Sequence, residues 1–391
     1  MLKKIFKKFF PDRFAAYFSK LDKNKLDKEL VNITETFINS SSYKLVSNLW
    51  HINNIKDFKT ISESNLDNLG TKLFNTYFNF FYYENEYLVN LYKNLSETDF
   101  VLSSSNMFKK HNGLNYKQSS NYNYLLLLLY YNLRKSDYFQ FLGLLKDETY
   151  LGFNNPYLTI ENKNISSDKI ISLFDLKNIE EFTNINNSNI LEIGAGSGRL
   201  SECIMSVRKT FSYTICDIPP AIFISYKRLK LAFPNKKIKL LIDIKDEKKL
   251  SEEILKHDIS FIFPHQISKL NSNLFNLTIA VDCFHEMDHS TINFYFKNIT
   301  KLSKKLYFSI WSKTKNWHSR GFFKKTERLD FEKEDYPIPQ NWKLKYKKNL
   351  IFPSNYISLG YILKEWLFLK SYIFIFNNLK FINRNFCYLG I

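Results

Sequence analysis

The stretch Asn189 to Asp217, NILEIGAGSGRLSECIMSVRKTFSYTICD, constrains the fold more than any other part of the chain. A short apolar run ends at Glu192, glycines follow at 194, 196 and 198, a helical pattern opens, and a second β-rich run ends at Asp217. That order predicts a strand, a tight turn, a helix, a strand and an acid, the repeating unit of a parallel α/β sheet. Glycine suits the turn because it takes unusual φ/ψ and leaves no Cβ between the backbone and a bound ligand. Asp217, roughly twenty residues on, falls where a βαβ nucleotide site keeps an acid for ribose hydroxyls. The spacing does not match the dinucleotide fingerprint: counted from Gly194 and Gly196, the third glycine of G-x-G-x-x-G would be Arg199.

The alternation continues downstream. Ile222 to Phe233 and Glu247 to Lys256 read as helices, Lys236 to Asp243 as an extra or edge strand, Ile259 to Phe263 and Leu277 to Cys283 as strands. Thr291 to Leu302 and Lys305 to Ile310 supply a further helix and strand. Ligands of open α/β sheets bind beyond the carboxyl ends of the strands, so the glycine turn, Asp217, His265-Gln266 and His285-Glu286 should converge on one crevice. Upstream, Asp22 to about Leu144 is mostly helical, with few glycines or prolines and apolar spacings such as Leu73, Tyr77, Phe80, Phe81 and Leu88. Between them, Asp147 to Phe182 reads as a loop leading into a helix that Ser166 or Ser167 would cap.

At 391 residues the chain exceeds one average domain. A hydrophobic content of 45% with 17% aromatic residues excludes wholesale disorder. The net charge of +18 points to nucleic acid or an anionic membrane face. Lys, Asn, Ile, Phe and Tyr are abundant together, however, as A/T-rich codons would make them, which discounts the charge. Cys203, Cys216, Cys283 and Cys387 show no C-x-x-C spacing and are expected as buried free thiols in a reducing cytosol. At the start, Lys7, Lys8 and Pro11 interrupt any signal-peptide core. There Leu2, Ile5, Phe6, Phe9 and Phe10 would share one side of a short helix and Lys3, Lys4, Lys7 and Lys8 the other. Such a helix docks on its own domain or touches anionic lipid from the cytoplasmic side. Neither Tyr124 to Tyr131 nor Tyr361 to Phe376 is an uninterrupted apolar run of the roughly 20 residues a span requires.

The pattern E-x-G-x-G-x-G at Glu192 to Gly198 resembles motif I of the class I S-adenosylmethionine-dependent methyltransferases. ILEIGAGSGRL, then CDIPPAI, FIFPHQI, CFHEM and, downstream, DYPIP-x-x-W at Asp335 to Trp342 look like the sugar O-methyltransferases found with bacterial surface-polysaccharide genes. The resemblance covers about Glu148 to Trp342. It departs at Cys-Phe-His-Glu-Met, where that family usually shows Ser-Phe-Gln-Glu-Met; Glu286 and Met287 match. It implies an α/β, Rossmann-like class I methyltransferase domain over 147–312 with its preceding lid segment, after a helical N-terminal domain over 1–146 and before a basic, aromatic-rich extension over 313–391. It also implies S-adenosyl-L-methionine as cofactor, held by Glu192, Gly194, Ala195, Gly196, Ser197, Gly198, Asp217, Ile218, His265 and Gln266. A sugar or glycan precursor would be the acceptor, in the cytoplasm, with no metal ligands assigned.

Methyl transfer is an in-line displacement, so the protein must align the acceptor and take its proton. His285 and Glu286 are the candidate bases, with Asp288 and His289 behind them; Glu286 capping the following helix and His285 as an exposed loop residue are the structural alternatives. His285 to His289 also spells H-E-x-x-H, a zinc-hydrolase signature when it lies within a helix. Lys313 to Arg384, with a net charge of +9, would serve a nucleic-acid methyltransferase as a phosphate stripe. A non-enzymatic scaffold that keeps the fold is the remaining reading.

Overall fold

The structure, a computed structural model, describes residues 13–46, 48–63, 69–73, 110–111, 114–134, 136–147, 155–311, 336–349 and 383–389. Tyr77, Phe80, Phe81, Leu88, the basic stretch before Arg13, Tyr361 to Phe376 and most of Lys313 to Arg384 lie outside the described residues. The described N-terminal elements are helices: α1 (Arg13–Ser19), α2 (Lys28–Ile38), α3 (Asn48–Ser62), α4 (Leu69–Lys72) and α5 (Tyr116–Arg134). Asp27 starts α2 by accepting hydrogen bonds from the Glu29 and Leu30 amides, satisfying two of the donors a helix leaves unpaired.

Strands β1 (Leu158–Ile160) and β2 (Lys163–Ile165) form an antiparallel hairpin where the sequence predicts a loop. Glu161 and Asn162 turn it, both at positive φ, the conformation a two-residue hairpin demands. Helix α6 (Ser167–Glu180) follows. Ser166 occupies its N-cap position but makes no side-chain capping bond.

The large sheet is built from β3 (Asn189–Ile193), β4 (Ser212–Cys216), β5 (Ile238–Leu240), β6 (Ile259–Ile262), β7 (Leu277–Val281), β8 (Lys305–Trp311), β9 (Lys343–Asn349) and β10 (Asn383–Leu389). Its order is β5-β6-β4-β3-β7-β8-β10-β9, and the β5-to-β8 portion is parallel throughout. β10 enters antiparallel to both β8 and β9. The parallel strands are linked through α7 (Arg199–Val207), α8 (Ala221–Ala232), α9 (Glu247–Lys256) and α10 (His289–Leu302). The chain leaves β3 toward β4, β6 and β5 on one side and later returns to place β7 on the other. β3 is therefore the switch point where such sheets hold ligands.

Strand side chains alternate between two cores, as a period of two requires. Ile190, Tyr213, Ile215, Ile259, Phe261, Leu277, Ile279 and Tyr307 join a cluster that extends into the N-terminal helices through Phe14, Phe37 and Phe58. Leu191, Ile193, Cys216, Ile262, Ala280, Leu306 and Phe308 face the opposite cluster, with Ile254 from α9 and Ile292 and Phe296 from α10. The N-terminal helices thus share a core with the sheet: Phe37 packs edge-on against Phe263 at 5.3 Å between ring centroids. Cys203, Cys216 and Cys283 are buried free thiols. Among the described residues, no helix is long and apolar enough to cross a membrane.

Candidate functional site

The glycine turn sits directly on the end of β3. Gly194 and Gly198 have φ of +69° and +76°, which residues with a Cβ rarely adopt. Space forbids a side chain at 194 as well, because a Cβ there would lie 2.6 Å from Cys283 Cβ. Gly198 begins α7 as its N-cap, and a Cβ on it would stand 3.0 Å from Ser225 Cβ. The Gly194 amide donates to the Cys216 carbonyl at 2.9 Å, extending the β3–β4 ladder into the turn.

Asp217 locks that turn. Its Oδ2 accepts the Gly196 amide at 2.9 Å and its Oδ1 the Ile218 amide at 2.7 Å. Each oxygen keeps a further lone pair, so the carboxylate can still receive hydroxyl donors. Burial pushes the Asp217 pKa up to about 7, against the pull of the two backbone hydrogen bonds. Glu192 is also buried, with Oε2 accepting the Tyr213 hydroxyl at 2.8 Å. Desolvation raises its pKa to about 7, with Tyr213 and Arg199 acting in the opposite direction. Ala195 and Ser197 are buried inside the turn, and Ser197 Oγ lies 3.4 Å from the guanidinium of Arg228.

Two of the predicted cofactor residues part company. His265, in the turn after β6, is partly buried. The Gln266 side chain turns to backbone. Its Oε1 accepts the Phe263 amide at 2.8 Å, its Nε2 donates to the Leu241 and Ile244 carbonyls at 2.8 and 3.1 Å, and it has no exposed surface. The amide thus ties its own turn to the segment after β5, with three of its four hydrogen-bonding positions taken by backbone.

His285 and Glu286 lie in a 3₁₀ turn, Phe284–Glu286, between β7 and α10. The His285 side chain is outside those described. Glu286 does not cap α10; that role falls to Asp288, whose Oδ1 accepts the Thr291 amide and the Ser290 hydroxyl, both at 2.8 Å. Asp288 is thereby committed to the helix start, and His289 is exposed at the first residue of α10. The two histidines of H-E-x-x-H therefore lie on a turn and a helix start, where zinc hydrolases need one continuous helix.

Three site residues were not singled out by sequence reasoning. Trp50, on α3, donates its indole N–H to Glu286 Oε2 at 3.1 Å across 236 positions of sequence. Ser42, buried in the turn Ser41–Leu45, bonds His265, and the Leu45 carbonyl accepts from Thr291 Oγ1 at 3.0 Å. Residues 42–50 thus reach the carboxyl-end segments after both β6 and β7. Asp282 follows β7 directly with a φ of +52°, held by Ser309, whose Oγ donates to Asp282 Oδ1 at 2.8 Å. In the sequence it falls inside the predicted strand Leu277 to Cys283, one residue short of its end.

Glu286 is strongly perturbed, as Asp217 is. Desolvation first, and then the negative charges of Asp282 and Asp217, raise its pKa to about 8, while the Trp50 hydrogen bond lowers it. The carboxyl is therefore mostly protonated at pH 7 and ionises as the pH passes about 8. The Trp50 indole proton should report this directly. In nuclear magnetic resonance its shift is expected to titrate with a midpoint near 8, and Glu286→Gln should abolish the titration. A flat response, or a midpoint below 6, would remove Glu286 from the desolvated cluster.

No family model matches this sequence, and no curated protein matches it. Solved structures similar to it include the methyltransferase domain of bacterial CtHen1, at 10% identity and a TM-score of 0.34, covering 56% of this chain and 97% of that one. PH0226 protein from Pyrococcus horikoshii OT3 is similar at 10% identity and a TM-score of 0.34, covering 57% and 92%. Thermoplasma acidophilum 1320 is similar at 12% and 0.33, covering 57% and 89%. The strand order, the parallel crossovers and the glycine turn at the switch point make this an α/β, Rossmann-like fold.

Proposed function

We propose that this chain is an S-adenosylmethionine-dependent O-methyltransferase whose acceptor is a sugar hydroxyl, in the making of a surface polysaccharide or another glycan. The observation that carries the cofactor is the glycine turn tied to Asp217 through the Gly196 amide. A preformed turn with no Cβ at 194, 196 or 198 leaves backbone open to a ligand, and the acid beside it keeps lone pairs for ribose hydroxyls. Glu192, Asp217 and Glu286, each raised by burial, also suit a cation. Positive charge brought among such acids favours their ionised forms, so binding and deprotonation support one another.

The cofactor supplies a methyl group already activated by the sulfonium charge. The chain's share is alignment and proton removal. Glu286 serves as base above about pH 8, where it is ionised, with its Oε2 oriented by Trp50. His285, in the same turn, is the second base of the proposal. The sugar is supported by the motif resemblance at Glu148 to Trp342, including Tyr336, which is buried against Phe308 at 5.3 Å between rings. A cytoplasmic glycan precursor is the acceptor class that follows.

Calorimetric titration with S-adenosylmethionine and, separately, NADH tests the cofactor. Saturable binding of the first alone is expected, and Asp217→Ala should weaken it at least about tenfold, or 1.4 kcal/mol. An unchanged affinity in that variant, or no binding by a folded wild type, would end this reading; binding would justify screening nucleotide sugars as methyl acceptors.

A further inference from the structure

Ser42 and His265 are joined twice, from 223 positions apart. Ser42 Oγ accepts the His265 amide at 2.9 Å and lies 2.7 Å from His265 Nδ1. A serine hydroxyl carries one proton, and Ser42 has no exposed surface. If Nδ1 carried the ring proton, Oγ would receive two N–H donors and its own proton would be buried without an acceptor, which is costly. The hydroxyl proton therefore goes to Nδ1, and the ring proton resides on Nε2. Burial, and then the charge of Lys269, lower the His265 pKa and favour the neutral ring. Nε2 has no hydrogen-bond partner among the described residues, and His265 is only partly buried.

Sheet order sets where this donor stands relative to the glycine turn. β3, β4 and β6 are consecutive neighbours, so their carboxyl ends step outward by about 4.8 Å each. The glycine turn follows β3, Asp217 follows β4 and His265 comes shortly after β6. A nucleoside with its ribose at Asp217 and its tail at the glycine turn would extend its base toward the end of β6.

We infer that Ser42 is a positioning residue that fixes His265 as an Nε2–H donor to an acceptor nitrogen of the purine on the bound cofactor. This rests on the S-adenosylmethionine reading above. It adds that the N-terminal helical region takes part in recognising the base, through a residue it buries against the sheet. A purine presents ring nitrogens as acceptors, and the neutral Nε2–H tautomer is the form that pairs with them.

The test has two arms. In the first, made without ligand, long-range ¹H–¹⁵N correlation spectra of ¹⁵N-histidine protein report the His265 tautomer. Nε2–H is expected in wild type and in Ser42→Thr, which keeps the hydroxyl, and a mixture of tautomers in Ser42→Ala. In the second, S-adenosylmethionine affinity is measured by calorimetry in a double-mutant cycle with His265→Gln, whose side-chain amide offers a donor at the Nε2 position without tautomers. Ser42→Ala should weaken binding about tenfold in wild type and less than twofold in His265→Gln. An Nδ1–H tautomer in wild type overturns the inference, as does an equal loss in both backgrounds, which would mark Ser42 as a docking residue only. A wild type that binds no S-adenosylmethionine defeats the parent reading and the purine assignment with it, while the first arm still decides whether Ser42 sets the tautomer.

Discussion

Arg228→Ala is expected to cost about 3–5 kcal/mol of unfolding free energy, the range seen when one partner of a buried ion pair is removed. Arg228 is among the largest fully buried side chains, and its guanidinium joins three parts of the fold. Nε donates to Glu202 on α7 at 2.6 Å, and Nη1 donates to Asp168 on α6 at 2.9 Å and lies 3.4 Å from Ser197 Oγ in the glycine turn. Asp168 and Glu202 are themselves buried. Without the guanidinium, two buried carboxylates each lose a hydrogen-bonded countercharge, which is costly where water does not reach. Urea unfolding monitored by circular dichroism measures the loss, and an unfolding free energy within about 0.5 kcal/mol of wild type would show that the triad does not hold the fold together. A triple replacement, Arg228→Met with Asp168→Leu and Glu202→Leu, separates charge from packing. Because it leaves no charge stranded, it should be far less harmful than the single change. The neighbouring pair of Arg199 and Asp175, at 2.7 Å, fastens α6 to α7 in the same manner. The segment before the glycine turn is thus held by internal charge rather than by its apolar face alone.

That arrangement marks the limit of what the sequence makes legible. The unit from Asn189 to Asp217 can be read because each part is signalled locally: a short apolar run, glycines that only a tight turn needs, and a helix with a 3.6-residue stripe. α9 falls on Glu247–Lys256 as expected, since Asp246 caps it through the Lys249 amide and the pattern ends in charge. The β1–β2 hairpin is not legible, because its turn uses Glu161 and Asn162 at positive φ where Asn-Gly or Asp-Gly would have announced it. Gln266 shows a different obstacle: an amide that closes its own turn and one that faces a ligand look alike in sequence. Glu286 and Asp288 are both acids ahead of α10, and only the coordinates assign the cap to the second. Ser42 and Trp50 carry no local mark at all. Their roles come from tertiary contacts across more than 220 residues, which no pattern within a window can register.

Gly194→Ala should do the most damage to the site for the smallest change in composition. The added Cβ meets two separate objections. At φ +69° an L-residue costs roughly 1–2 kcal/mol, and forcing one more carbon into a packed interior costs about 1–3 kcal/mol. The obstructing atom is Cys283 Cβ at 2.6 Å, with Sγ at 3.0 Å, and a Cβ cannot swing aside as the end of a long side chain can. Cys283 is further held by its thiol, which donates to the Ile193 carbonyl at 3.2 Å. Relief therefore requires the β3 and β7 ends to separate, which moves the glycine turn away from the Phe284–Glu286 turn that follows Cys283 directly. The expected result is a loss of about 2–5 kcal/mol in stability together with at least a tenfold loss in S-adenosylmethionine affinity, read by urea unfolding and calorimetry. Combining it with Cys283→Gly removes both clashing atoms and leaves only the φ penalty, so the pair should couple favourably by 1 kcal/mol or more, an estimate within the range for contacting residues. Additive losses instead would mean that the two strand ends are not in register across this contact, and that the turn and the candidate base are positioned independently.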